Sequence, residues 1–478
     1  MTDRLIDDIR KDLDNGIVTS QELFEDAVTK ANKYQNEYNS FVTIMEDMVQ
    51  IDSDSILNGI PYALKDNIST KGIVTTGSSN ILKDYIPLYD ATVYKKLKEA
   101  GAILMGKTVL DELAMGGTGT TGHTGSVRNP WNKERLIGGS SAGSASAVAL
   151  GIVPFSIGSD TGDSIRKPAA YGGIVGYKPT YGRVSRYGLF AFASSLDHVG
   201  LFARSVRDVS YVMDIIKGHD DKDMTSLPDD DVCYVNELNN DVKGKKLFYI
   251  KEAIEIDSGN EELRLILDNF RHTIDKCREI GIEVHEVSFR KDLLAAIYPA
   301  YMCISCAEAT SNNSNLTGIP FGTRIDGKNI NDIMFKTRTE GFSELIKRRF
   351  IMGSYILQKE NQEKLFLNAC RVRRLIVESM NELFKEYDAL IMPGSGNIAP
   401  LFGEVSDRLS DEYLILGNHM VIGNFGGYPS ISIPSGFVND MPVGVNITGR
   451  AKEDSLVLNI ANKIEEVLGY KGQVSISE

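Results

Sequence analysis

Between Met115 and Gly200 the chain is dominated by Gly, Ser and Thr, yet these residues are interleaved with apolar runs: "GGTGTTG", then "GGSSAGSASAVALGIVPFSIGSDTGDSIRKPAAYGGIVGYKPTYG". A flexible linker of the same composition would have no such runs. Here "SASAVALG" predicts a small-residue helix and "IVPFSIG" a strand, so the glycines mark places where backbones approach closely. The stretch is therefore packed core. Any fold for this chain has to be built around it.

Flanking segments alternate strand and helix patterns. Thr19 followed by Glu22 is a capping box that opens an amphipathic helix in "TSQELFEDAVTKANKY". "GIPYALKDN" predicts a short strand ending at Lys65, "DATVYKKLKEA" a helix and "GAILMG" a buried strand. Beyond about residue 215 the chain becomes more charged and helical. It carries "NEELRLILDNFRHTIDKCREIG", the strand "IEVHEVSF" and long helical stretches from Ile330 to Lys385. "YDALIMPGS", "YPSISIPSGF" and "PVGVNITG" are three strands able to rejoin the first sheet, and "EDSLVLNIANKIEEVLG" is a last helix. At 478 residues the chain exceeds one ordinary core, so one catalytic unit with an insertion is expected. The expected division is an N-terminal helical cap (1–58), a core (59–215), an inserted helical lobe (216–385) and C-terminal strands and helix (386–478). The fold class is α/β, with a large mixed sheet flanked by helices.

Composition narrows the function. With 42% hydrophobic residues and no apolar run of about 18 residues, a soluble globular protein with no membrane partner is expected. The aspartate-rich, charge-alternating start "MTDRLIDDIRKDLDNG" has no apolar signal core, which points to the cytoplasm. A net charge of −13 disfavours capture of RNA or DNA by this chain alone, so any nucleic acid must be held mainly by something else. Five cysteines give no disulfide framework. Cys303 and Cys306 form one "CISC" without a second ligand pair, which predicts a buried, inert pair and no metal site.

Two familiar patterns mislead. Gly101 to Thr108 fits the phosphate-loop pattern G-x-x-x-x-G-K-[ST], but its four intervening residues are Ala-Ile-Leu-Met and must themselves be strand. Gly139-Ser140-Ser141-Ala142-Gly143 fits G-x-S-x-G, yet no apolar strand precedes it, and none of the six histidines stands in a nucleophile-elbow context. Lysine offers another base, because burial lowers its pKa and frees the neutral amine to accept a proton. Lys65, at the end of an apolar strand, is the candidate; an ordinary surface lysine at a strand end is the alternative.

"YALKDN", "GGSSAGSASAVALG" and "GSDTGDSIRKPAAYGGIVGYKPTYGRVSRYGL" together resemble the amidase signature family over about residues 60 to 200. The resemblance implies a Ser-cisSer-Lys catalytic set, with Ser164 as nucleophile, Ser140 as bridging serine on a cis peptide and Lys65 as base. It also implies an oxyanion hole built from backbone N–H groups of Thr161, Gly162 and Asp163 around Ser164. A serine hydroxyl is a weak nucleophile until its proton is removed, and a lysine too distant to reach it can act through a second hydroxyl. Asp163 stands where the family commonly has Gly; Asp tolerates left-handed backbone better than most residues, so the N–H could still be aimed correctly.

Within the family the chain is most similar to the A subunits of tRNA-dependent Asp/Glu amidotransferases, through "DELAMGG", "EGFSELIKRR" and "GNFGGYPSISIP". That similarity implies glutamine as substrate and partner B and C subunits. Misacylated tRNA would be held mainly by the B subunit, which would also use ATP and Mg²⁺, with no cofactor in this chain. It implies Arg349 as ligand of the glutamine α-carboxylate, with Arg348 the alternative, and Tyr301 beside the substrate. Where an Asn-Asp pair is common, this chain reads Leu416-Gly417-Asn418-His419, and Asn418 could accept a hydrogen bond from the α-amine. The competing readings are a free-standing amidase and a catalytically impaired protein that serves only in assembly.

Overall fold

Pro61–Lys65 and Phe155–Asp160 are short apolar runs closed by turn residues, and both form strands in which every residue is buried. Strands covered on both faces carry continuous rather than alternating apolar runs. The computed structural model describes residues 1–254, 259–404 and 417–475. Its strands in chain order are β1 (Phe41–Ile44), β2 (Pro61–Lys65), β3 (Ile103–Thr108), β4 (Arg128–Asn129), β5 (Asn132–Leu136), β6 (Phe155–Asp160) and β7 (Val175–Lys178). After these come β8 (His198–Ala203), β9 (Lys246–Ile250), β10 (Glu283–Val287), β11 (Ala389–Pro393), β12 (Ser430–Val438) and β13 (Met441–Gly449). Eleven of them form one mixed sheet in the order β1-β3-β2-β6-β8-β7-β12-β13-β11-β9-β10, while β4 and β5 pair separately. The three expected C-terminal strands do rejoin the sheet.

Register sets where a site can form. β2 lies parallel to both β3 and β6, with Leu64 opposite Ile157, so the carboxyl ends of β2 and β6 open on the same edge. Ligands in α/β sheets bind in the crevice outside such ends. Lys65 is the last residue of β2, and the loop 161–164 leaves β6 directly.

The small-residue stretch folds as a wholly buried helix, Ala142–Ala149. A Cβ on Gly143 would lie 2.2 Å from the Ser40 carbonyl oxygen, so the close approach demands glycine there. The capping box at Thr19 is present, and helix Ser20–Tyr38 follows it. The Gly101–Thr108 run is strand as argued: Lys107 is fully buried, and its Nζ donates to the Ile68 carbonyl at 2.9 Å and the Thr75 hydroxyl at 2.8 Å. No phosphate could reach it.

Helix Lys291–Asn312 was not foreseen. By length and composition it is apolar enough to cross a membrane, contrary to the expectation that no such stretch exists. In the fold it packs against helices Glu344–Leu357 and Asn368–Leu383. A Cβ on Gly353 would sit 2.1 Å from the Cys306 carbonyl oxygen, so the first two of these helices touch at close range. Cys306 is buried, Cys303 only half-buried, and burial pushes both thiols up. Among the described residues no cluster of metal ligands occurs.

Candidate active site

Lys65 is fully buried where β2 ends, and its Nζ lies 2.8 Å from Ser140 Oγ, 2.8 Å from Ser141 Oγ and 2.9 Å from Ser159 Oγ. Removal from water disfavours the ammonium and brings its pKa down to about 7, against the pull of the Asp111, Asp160 and Asp197 carboxylates. The surface-lysine alternative is thereby excluded. Ser141 Oγ donates to the Ser159 carbonyl at 2.9 Å, so toward the amine it can only accept. Ser140 Oγ has Lys65 as its sole side-chain partner among the described residues, which leaves its proton available to a neutral amine.

Ser140 follows a cis peptide, Gly139-Ser140. Asp111 holds this turn from outside: it accepts backbone N–H groups of Thr118, Gly119, Thr120 and Thr121 at 2.9–3.2 Å, and its own N–H donates to the Ser140 carbonyl at 3.1 Å. A Cβ on Gly139 would lie 2.1 Å from Asp111 Oδ2, so the residue before Ser140 has to be glycine.

The loop carrying Ser164 lies against the Ser140 turn, because the Ser141 N–H donates to the Ser164 carbonyl at 3.2 Å. Ser164 is 4% exposed, and its hydroxyl makes no hydrogen bond among the described residues. The backbone N–H groups of Thr161, Gly162, Asp163 and Ser164 likewise find no acceptor among them. Four unengaged donors around a free hydroxyl make a binding place for a developing oxyanion. Hydrogen bonds between a nucleophile and its proton acceptor commonly tighten only once substrate is seated.

What holds the loop is an ion pair that sequence reasoning did not single out. Asp160 and Arg166 are both fully buried and meet through two contacts, Nη2 to Oδ1 at 2.9 Å and Nε to Oδ2 at 3.1 Å. Arg166 also donates to the Gly162 carbonyl at 2.8 Å and to Asn424 Oδ1 at 2.7 Å. Burial opposes ionisation of Asp160, but Arg166, Lys178 and Asn424 hold its carboxyl well below the ordinary range. The signal was present as Asp and Arg at the two ends of the Gly/Ser loop.

Asp163 has no positive φ, so the tolerance for left-handed backbone is not needed. Its carboxylate pairs with Lys167 at 2.6 Å, which compensates its charge beside Ser164. Gly162 faces Tyr301: a Cβ there would lie 3.1 Å from the ring. Burial pushes the Tyr301 phenol far up, with Arg349 opposing and Asp163 adding to the shift. Arg349 lies over the Phe192 ring at 5.6 Å, and its Nε and Nη1 are buried without a hydrogen-bond partner. Arg348 is exposed, whereas Arg349 is half-buried. Leu416 lies outside the described residues, while Asn418 is buried.

A sequence profile of the family described as Amidase matches residues 22–458. The chain belongs to the amidase family. Within it, the A subunit of the glutamyl-tRNA(Gln) amidotransferase of Heliobacterium modesticaldum is 40% identical over 95% of this chain and 94% of its own length. The protein of the same name from Lactobacillus acidophilus is 39% identical over 96% and 95%. Among solved structures, the A subunit of the glutamyl-tRNA(Gln) amidotransferase from Thermotoga maritima superposes with a TM-score of 0.81 at 36% identity, over 97% of this chain and 94% of that one. The fold thus agrees with the family that the motifs indicated.

Proposed function

We propose that this chain is the glutamine-hydrolysing subunit of a tRNA-dependent amidotransferase. The observation that carries the reading is the buried Lys65 amine bonded to Ser140 Oγ, beside a loop of free N–H groups around Ser164. Similarity over nearly the whole chain to the A subunits named above supports the choice of glutamine. Neutral Lys65 takes a proton from Ser140, which takes one from Ser164, and Ser164 Oγ attacks the side-chain amide carbon. The oxyanion is met by the N–H groups of loop 161–164. Lys65 returns the proton through Ser140 to the leaving nitrogen, and ammonia departs from an acyl-Ser164. Water then attacks the ester, glutamate leaves and the Ser164 proton is restored.

Glutamine has to be told from other primary amides, and the unpaired guanidinium nitrogens of Arg349 suit its α-carboxylate, with Tyr301 as the wall of the pocket. The ammonia goes to a partner B subunit, which uses ATP and Mg²⁺ to amidate Glu-tRNA(Gln), with a C subunit completing the assembly. Asp-tRNA(Asn) would need the same ammonia, a choice that lies with the partner holding the tRNA. This chain needs no cofactor of its own.

The test is glutamate release from glutamine by the chain alone and by the chain with B and C subunits. Hydrolysis that depends on Ser164 and feeds Gln-tRNA formation supports the reading. Hydrolysis of other small amides in place of glutamine would make it a free-standing amidase, and no hydrolysis at all would leave it a role in assembly only.

A further inference from the structure

Asp197 stands behind the loop rather than in it. It is 3% exposed and directly precedes β8. Its Oδ1 accepts the Thr161 hydroxyl at 2.7 Å and the Ala193 N–H at 3.1 Å, and its Oδ2 accepts the Phe192 N–H at 2.9 Å. Thr161 opens the loop that carries Ser164, and the Phe192 ring lies under the Arg349 guanidinium. One buried carboxylate therefore fixes both the first residue of the loop and the backbone beneath the cation.

We propose that Asp197 is a positioning residue that keeps the loop Thr161–Ser164 in register with Arg349, so that seating the carboxylate end of the substrate aligns its amide carbon with Ser164. The inference rests on the roles given to Ser164 and Arg349 above. Burial raises the Asp197 carboxyl to about 6, against its hydrogen bonds and the Arg186 charge, so it remains ionised at neutral pH and accepts from all three donors. Asparagine could not replace it. Whichever way its amide is turned, the Nδ2 group faces a backbone N–H, of Phe192 or of Ala193, and one buried donor is orphaned. Phe192 or Ala193 must then shift, and with it either the support of Arg349 or the loop.

The test uses the assembled complex with B and C subunits and two substrates, glutamine and glutamine whose α-carboxylate is amidated. Thr161→Val removes one charged-acceptor hydrogen bond at nearly constant volume. It should lower kcat on both substrates by about tenfold or more while KM stays near wild type. Thr161→Ser, which restores the hydroxyl, should recover most of that loss. Asp197→Asn should lower kcat/KM more on glutamine than on the amidated analogue, because only glutamine uses Arg349. Asp197→Ala takes from Thr161 the only acceptor that this side chain offers, so the double variant Asp197→Ala/Thr161→Val should be no worse than Asp197→Ala alone. Wild-type rates in Thr161→Val, or equal losses on both substrates with an additive double variant, would overturn the inference. Should Asp197→Asn fail to assemble, the contrast between valine and serine at position 161 decides. Ser164→Ala runs beside them: its activity, if retained, sinks the proposed function, whereas an inactive Ser164→Ala with an unaffected Thr161→Val sinks only the role of Asp197.

Discussion

Lys65 Nζ stands 2.8 Å from Ser140 Oγ with both side chains wholly enclosed by protein. An amine in that place works as a base only when neutral. Below about pH 7 it is protonated and cannot accept, and above that value the neutral form predominates. The kcat/KM for glutamine should therefore rise about tenfold per pH unit on the acid side and level off near neutrality. A lysine at its ordinary value would carry the rise on to about pH 10 before it levelled off. Lys65→Arg, which cannot be deprotonated in this range, should lower the rate by orders of magnitude at every pH. A flat profile from about pH 5 to 8 would remove Lys65 from the mechanism.

Ser164→Ala takes away the attacking oxygen without touching the carbonyl that accepts the Ser141 N–H, so the loop should keep its place. Glutamine hydrolysis is expected to disappear while assembly with B and C subunits persists. Free ammonia should still support amidation of the tRNA-bound glutamate. Mass spectrometry should find no acyl-enzyme in this variant, and its appearance elsewhere would identify another nucleophile.

Arg166→Ala leaves Asp160 charged, buried and without its main partner, a change that costs roughly 3–5 kcal/mol. Urea denaturation should show a lower midpoint with an unchanged slope. The Asp160 carboxyl is held below its ordinary range, so the pair's contribution is present at neutral pH and is lost only as pH falls through the depressed value. Wild-type and variant midpoints should accordingly stay apart by a constant amount between about pH 6 and 8. A midpoint equal to wild type would mean that Asn424 and the Ile165 N–H alone suffice to hold Asp160.

The candidate catalytic segments were legible through their likeness to a family's motifs, which works because the residues of each motif are adjacent in the chain: strand into Lys65, cis turn into helix Ala142–Ala149, and β6 into the Ser164 loop. Capping chemistry at Thr19 and the end of β2 at Lys65 came out where local patterns put them. Strands β7 and β8 did not, since both are short, glycine-bearing and buried on both faces, with no alternation to betray them. Helix Lys291–Asn312 was missed for a related reason. It has no sharp amphipathic stripe and contains Pro299, so neither its period nor its interior reads as helix. Asp111, Asp160, Asn424 and Asp197 act across more than one element, and no local spacing reveals a contact such as Asp160 with Asn424. The support of the site is a property of the fold, whereas its reacting groups are a property of the motif.

Arg349 is the remaining test, because its Nε and Nη1 are enclosed and unpaired while Arg348 beside it is exposed. A carboxylate on that fork would form charge-assisted bonds, each contributing roughly 1.5–3 kcal/mol. Arg349→Ala should therefore weaken capture of glutamine by at least about tenfold. Lysine restores the charge but not the planar fork, and it stacks less well on Phe192, so Arg349→Lys should recover only part of the loss. The measurement is kcat/KM for glutamine against its analogue with an amidated α-carboxylate. Wild type should discriminate strongly between the two and Arg349→Ala should not, because the analogue never used the guanidinium. Equal discrimination by both enzymes would place the carboxylate elsewhere in the pocket and leave Arg349 as packing against the Phe192 ring.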